Sequence, residues 1–281
     1  PLRVLVLMHP TLVPPDSPAD REARARAANL YLPEGTVRML PDELTDRLAL
    51  GLQAVSPALS LAFAVGGDAP ELLEIVPSWI RATRTTYEAA EACLGESPYR
   101  ELLALADAGR ARRVANGAVE IDLPEAKVRV KDDGRVVITP LPALRSRELV
   151  REAMLTAGEA IGKLAAERGL PLVFTHQEPP QEVESPASGL AGMFAQRRAM
   201  QRSQPRFAPG CHAGLGLDVY LQATSPFRRY GDLLTHLQLR AHLRGVRGRE
   251  RRAQCRLQRD DLALVDHVRR RLREVGRELR G

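Results

Sequence analysis

Residues 220–236 read Tyr220-Leu221-Gln222-Ala223-Thr224-Ser225-Pro226-Phe227-Arg228-Arg229-Tyr230-Gly231-Asp232-Leu233-Leu234-Thr235-His236, and the chemistry changes twice along them. A short apolar run stops at Thr-Ser-Pro-Phe, where Pro226 forbids helix through Ser225 and then suits the first turn of a new one. From Arg229 onward Leu233, Leu234, Leu237, Leu239 and Leu243 fall mostly at three-to-four spacing, which predicts a helix. Thr224 and Ser225 are expected as hydroxyl caps at its mouth, with Arg228 and Arg229 in its first turn. Basic residues there oppose the helix dipole, a placement that structure alone would avoid. A helix start offering N–H groups, hydroxyls and two guanidiniums suits a phosphate. The plainer alternative is a capped surface helix with incidental arginines.

Working outward, residues 2–7 form an apolar run around Arg3 and read as a buried strand already under way at the chain's start. The chain is therefore expected to be part of a longer protein, with residues ahead of Pro1. Helices are predicted over 19–30, from Pro41-Asp42-Glu43, over 85–94, 99–115 and 146–168, between 189 and 203, and over 258–279. The last carries Leu262, Val265, Val268, Leu272 and Val275 on one face. Strands are predicted at 59–65 and 72–80, joined by the Gly66-Gly67-Asp68 turn, and at 118–121 and 172–175. Strands 127–131 and 135–139 should pair as a hairpin through Asp132-Asp133-Gly134. Residues 177–188, rich in Pro, Glu and Ser, read as an exposed loop. Without internal repeats or a strict βαβ rhythm, the expected fold class is α/β: one domain over 1–281, a mixed central sheet surrounded by helices.

The net charge of +6 comes from arginine far more than lysine, since only Lys127, Lys131 and Lys163 are lysines. A guanidinium fork matches phosphates, so nucleic acid is the natural partner. An arginine-favouring codon bias would explain the Arg-over-Lys preference but not the net excess. Cys93, Cys211 and Cys255 are odd in number and widely spaced, which fits neither a zinc site nor a disulfide framework and suits a cytoplasmic location. No run of 18 apolar residues occurs, so no membrane-crossing helix is expected.

The stretch Y-x-x-x-T-S-P-F-R-R-Y-G-D-L-L-x-H at 220–236 resembles the signature of the RNase II / RNase R exoribonucleases, the RNB family, usually read T-S-P-I-R-R-Y-x-D. Further blocks appear in the family's order. Ser17-Pro18-Ala19-Asp20-Arg21-Glu22-Ala23 resembles its G-S-x-L-D-x-E-A stretch. Leu30-Tyr31-Leu32-Pro33 with Arg38-Met39-Leu40-Pro41 resembles its Y-L-P … M-L-P. Thr86-Tyr87-Glu88, Arg151-Glu152-Ala153-Met154, Thr175-His176-Gln177-Glu178-Pro179 and His212-Ala213-Gly214-Leu215-Gly216-Leu217 follow in place. The resemblance covers residues 2–245, with a weaker continuation in which Glu274 is the acid of interest. There are departures. Phe227 replaces the usual Ile, Arg151 stands where the family often has Glu, and the segment from His176 to Met193 is short. No cold-shock or S1 barrel is evident.

The resemblance implies a 3′→5′ exoribonuclease, or the larger part of one, that hydrolyses single-stranded RNA to nucleoside 5′-monophosphates with Mg²⁺, as a monomer. It implies that Arg228 clamps the scissile phosphate as the catalytic arginine. Tyr31 would stack on the terminal nucleotide and Tyr87 would line the RNA path. Arg229, Tyr230, Thr224 and Ser225 continue the RNA-binding motif, while Asp232 and His236 are expected to orient neighbours or pack. The family's Mg²⁺ ligands, D-x-x-x-x-x-D-x-D-D, precede the strand matched by residues 2–7. They are not in this chain, and the resemblance places them before Pro1. The acidic pairs present, Asp42-Glu43, Asp132-Asp133 and Asp260-Asp261, have ordinary structural uses, so no metal ligand is assigned. The other reading is a catalytically inactive RNB-like module that keeps the RNA-gripping residues.

Overall fold

A computed structural model describes residues 2–8, 13–64, 71–181 and 189–245. Its largest sheet is a three-stranded antiparallel one, with β4 (Ser56–Ala64) between β1 (Leu2–Met8) and β5 (Glu71–Ile80). The period-two alternation of β4 turns Leu59, Leu61 and Phe63 inward. Across them lies α5 (Arg145–Arg168), whose inner face carries Ala157, Ala160, Ile161 and Ala165. Small residues on α5 let a second segment, 219–223, cross at close range. A Cβ at Gly158 would stand 2.4 Å from the Leu221 carbonyl oxygen, and one at Gly162 would stand 3.2 Å from Val219 Cγ2. Leu170, Leu172, Phe174, Val219, Leu221 and Ala223 complete this first core. Each fully buried aliphatic side chain in it contributes about 1.5–3 kcal/mol.

A second core gathers Val13, Ala23 of α1 (Pro18–Arg26), Met39, Leu40 and Leu48 of α2 (Asp42–Leu48). Phe227, Tyr230, Leu233, Leu234 and Leu237 join them. The last four belong to α7 (Tyr230–Leu243), which also sends Leu239 into the first core. A helix buried on both sides explains why Leu233, Leu234, Leu237 and Leu239 exceed a one-sided stripe. The signature loop 224–229 therefore sits at the seam of two cores.

The other elements are α3 (Tyr87–Ala92), α4 (Tyr99–Ala115), α6 (Gly189–Ala199) and the two-stranded pairs β2 (Leu30–Tyr31) with β3 (Thr36–Val37), β6 (Glu125–Val130) with β7 (Val136–Leu141), and β8 (Phe174–His176) with β9 (Gln204–Arg206). Helix α4 is locked to α5 by a buried ion pair in which Arg113 Nε and Nη2 both donate to Glu152. Arg113 Nη1 also donates to the Leu215 carbonyl at 3.1 Å. The paired guanidinium offsets what an isolated buried Glu152 would cost.

The α/β character expected from the sequence holds, with the strands in small antiparallel sheets rather than one mixed central sheet. Residues 118–121 make no ladder, because Val119 donates its N–H to the Gly214 carbonyl instead. The helix predicted over 19–30 stops at Arg26, with Ala27 in the left-handed region at φ 58°. Pro1, the Gly66-Gly67-Asp68 turn, most of the 177–188 loop and the predicted 258–279 helix lie outside the described residues. Among the described residues no helix is long and apolar enough to cross a membrane.

Candidate functional site

Helix α7 begins one turn later than Pro226 suggests. Its cap residue is Arg229, in extended conformation and without a side-chain cap. Thr224 and Ser225 are thus not helix caps; they open a tight turn ahead of the helix. Ser225 is buried, and its carbonyl accepts the N–H groups of Arg228 and Arg229, each at 3.1 Å. The turn is tied down from α7 itself. Asp232 accepts the Ser225 N–H at 2.8 Å, His236 Nε2 donates to the Ala223 carbonyl at 2.7 Å, and Thr235 Oγ1 donates to the Gln222 carbonyl at 3.2 Å.

The two adjacent arginines are not equivalent. Arg229 forks onto Asp232, with Nε 2.8 Å from Oδ1 and Nη2 2.7 Å from Oδ2, and Nη2 also reaches Thr224 Oγ1 at 3.4 Å. Its charge is matched by a carboxylate that is wholly buried. Arg228 is exposed, and its guanidinium has no partner among the described residues. Of the two guanidiniums that the sequence offered to a phosphate, the structure leaves one free.

Tyr230 takes a structural place rather than the RNA-facing one expected of it. Its ring is buried in the second core, and its hydroxyl donates to Asp20 Oδ1 at 3.1 Å. The Ser225 N–H and the Thr224 hydroxyl are likewise engaged within the turn. These three residues build the loop, from which the Arg228 side chain emerges exposed.

The turn is also bound to the end of α1. Tyr230 donates its N–H to the Ala27 carbonyl at 2.8 Å, Asn29 donates its N–H to the Arg228 carbonyl at 3.1 Å, and Ala28 bridges Arg229. Strand β2 follows at once, so Tyr31 lies two residues beyond the backbone that grips Arg228. Its ring is 64% exposed. An exposed guanidinium and an exposed aromatic ring are thus carried on backbone segments, far apart in sequence, that are hydrogen-bonded to each other. Asn29 is a participant that sequence reading missed: it acts through its backbone N–H and through Oδ1, which accepts the Met39 N–H at 2.7 Å. Neither role leaves a mark in a pattern of residue types. Tyr87 sits elsewhere, at the start of α3, 40% exposed with the Arg147 guanidinium 4.9 Å above its ring. Its carbonyl accepts the Ser146 hydroxyl, which ties it to α5 rather than to the loop.

Burial shapes the protonation states beneath the loop. Desolvation raises the carboxyl of Asp20 above its usual range, against the hydrogen bonds from the Asp16 N–H and Tyr230. Burial holds the His236 imidazole down at about 4, so it is neutral, with Nε2–H donating and Nδ1 unpaired. His236 is a core residue and has no surface to offer RNA. Among the described residues no three His, Cys, Asp or Glu side chains converge as a metal site. The carboxylates nearest the loop are occupied, Asp232 by Arg229 and Ser225, Asp20 by Tyr230 and Asp16. The described residues therefore do not fit Mg²⁺. The aspartate cluster expected before Pro1 falls outside them, since they begin at Leu2.

The chain matches the RNB domain family over residues 10–188 and 190–245. It is 41% identical over 249 residues to an uncharacterized ribonuclease of Synechocystis sp., an alignment covering 83% of this chain and 37% of that protein. It is 30% identical over 253 residues to the chloroplastic/mitochondrial ribonuclease II of Arabidopsis thaliana, covering 83% of this chain and 31% of that one. The chain thus spans well under half the length of these curated relatives. Its fold superposes on Mycoplasma genitalium RNase R in complex with ribose methylated single-stranded RNA, with a TM-score of 0.83 over 95% of this chain and 50% of that one, at 18% identity. A match that runs through the 224–232 loop and nearly all the described residues settles the kinship: the chain belongs to the RNB domain family, that of the RNase II and RNase R type ribonucleases.

Proposed function

We propose that this chain is the larger part of the catalytic domain of a hydrolytic exoribonuclease that takes single-stranded RNA from its 3′ end and releases nucleoside 5′-monophosphates. The observation that carries the reading is the isolation of Arg228. In a turn where the Arg229 guanidinium, the Ser225 N–H and the Thr224 hydroxyl are engaged, the Arg228 guanidinium is exposed and without a partner among the described residues, next to the backbone that leads into the strand carrying Tyr31. A guanidinium so placed neutralises charge on phosphoryl oxygens without transferring a proton. An exposed tyrosine ring stacks on any base and contributes roughly 1–3 kcal/mol, which suits an enzyme that must accept every sequence. Arg229 and Tyr230 serve the same site by holding the turn. Tyr87 lines the path of the strand at more distance. Mg²⁺ belongs to the proposal on the family resemblance alone; since the described residues do not fit it, no step is assigned to it.

The test uses the full-length protein that carries this chain, with single-stranded RNA labelled at either end and MgCl₂ present. A 3′ label should leave at once as a mononucleotide, while a 5′ label persists until a short limit fragment remains. Internal cleavage, or attack from the 5′ end, overturns the reading. Salt-sensitive RNA binding without hydrolysis establishes the non-catalytic module in its place.

A further inference from the structure

Asp232 is wholly buried, yet its carboxylate makes its hydrogen bonds to the turn ahead of it. Oδ2 accepts the Ser225 N–H at 2.8 Å and Arg229 Nη2 at 2.7 Å, and Oδ1 accepts Arg229 Nε at 2.8 Å. One carboxylate thereby joins the residue that opens the turn to the side chain of the residue that closes it. Arg228 lies between these two fixed points. Its N–H is held by the Ser225 carbonyl and its own carbonyl by the Asn29 N–H, each at 3.1 Å, while its side chain is unpartnered among the described residues. The backbone on both sides of Arg228 is thus held, on one side through Ser225, whose N–H the carboxylate fixes, and on the other by Asn29 from the end of α1.

We infer that Asp232 is a positioning residue for Arg228: through Ser225 and Arg229 it sets the direction in which the Arg228 guanidinium meets a phosphate. The inference rests on the ribonuclease reading above. Another role for the same carboxylate is stabilisation alone, as an acid in the first turn of α7 where the helix dipole favours it. The two roles separate in the kinetics. A structural acid affects how much protein is folded, and its loss is felt whether or not Arg228 is present. A positioning acid affects turnover only through Arg228, and misplacing a reacting group by about 1 Å costs on the order of a hundredfold.

The experiment is a double-mutant cycle between Asp232→Asn and Arg228→Ala in the full-length protein, with kcat, KM and the melting temperature measured on single-stranded RNA. Asp232→Asn should lower kcat about ten- to a hundredfold while KM stays within about twofold. In the Arg228→Ala background the same substitution should change kcat less than about twofold, because there is no guanidinium left to aim. An equal fall in both backgrounds overturns the inference, as does a rise in KM matching the loss of kcat. If Asp232→Asn does not fold, Arg229→Gln removes the fork from a half-exposed position, and the same dependence on Arg228 is required of it. If the wild-type protein does not hydrolyse RNA, the ribonuclease reading fails first and takes this inference with it.

Discussion

Removing the guanidinium at 228 and removing the one at 229 should have different consequences, since a buried carboxylate holds only the second. Arg228→Ala should lower single-turnover cleavage about a hundred- to a thousandfold, the roughly 3–4 kcal/mol that one oxyanion-type donor is worth. RNA affinity should fall no more than about threefold, because charge redistributes on the phosphate in the transition state while binding is shared along the strand. Equal losses in rate and affinity would make Arg228 an ordinary phosphate contact. Arg229→Ala should instead destabilise the fold by about 2 kcal/mol in denaturant, since it leaves the Asp232 carboxylate short of a partner. The three-residue spacing of Arg229 and Asp232 was legible in the sequence. Expecting the helix to begin at Pro226 put both arginines in one first turn and hid the difference. With the cap at Arg229, Asp232 stands at the third helical position, but instead of taking the cap's backbone N–H as a capping-box acid would, it takes the Arg229 side chain and the Ser225 N–H. His236 gives a second test at this scale. Its folded pKa of about 4 lies below the ordinary 6.5, so protons bind the unfolded chain more tightly. The stability that neutral His236 supplies is complete above pH 6.5 and is lost as pH falls toward 4, about 3 kcal/mol in all. Unfolding free energies from urea titrations at about pH 7 and about pH 4.5 should diverge for the wild type by about 2–3 kcal/mol more than for His236→Gln. An identical pH dependence in the two would mean that the buried imidazole is not the group that titrates.

Helix ends show where local preference yields to tertiary contact. The boundaries of α4 and α5 were readable in the sequence because each helical run ends just before a glycine, Gly117 and Gly169, that takes a positive φ. The end of α1 was not. Residues 25–28 are Ala-Arg-Ala-Ala, a run that favours helix. The helix stops because the signature loop claims the following backbone: the Ala27 carbonyl goes to Tyr230 and the Asn29 N–H to Arg228. Ala27 adopts φ 58° to make that possible, at a cost of about 1–2 kcal/mol for a residue with a Cβ. Glycine carries no such penalty. Ala27→Gly should therefore leave the melting temperature unchanged or raise it slightly, the relieved strain offsetting the extra freedom of the unfolded chain. Ala23→Gly, one turn earlier and buried within the helix, should cost about 1 kcal/mol or more. Equal losses at both positions would show that the turn at Ala27 carries no strain. The pairings of neighbours in sequence, β4 with β5 and β6 with β7, were legible, whereas those of β1 with β4 and of β8 with β9 were not, because no pattern within a strand says which distant strand it will join.

On the scale of the whole molecule, two cores meet along α7, and the loop between them is rigid because both cores anchor it, through Ala223 on one side and through Phe227 and Tyr230 on the other. A site built this way keeps its geometry while long-range charge does the gathering. The net charge of +6 is a property of the chain as a whole, and many of its arginines are spent internally: Arg113 on Glu152, Arg112 on Glu159, Arg229 on Asp232. RNA affinity should therefore reflect a modest number of phosphate contacts and not the full count of basic residues. Each contact with a single strand contributes about −0.7 to the slope of log affinity against log salt. About five contacts give a slope near −3.5 and a fall of roughly a hundredfold between 50 and 200 mM salt. Arg228→Ala should flatten that slope by no more than about 0.7, the share of one phosphate. Fluorescence anisotropy of a labelled oligonucleotide across that salt range measures both slopes. An affinity indifferent to salt would leave the positive charge without a role in binding, and a slope that collapses in Arg228→Ala would make this arginine the grip on the strand instead of the clamp on one phosphate.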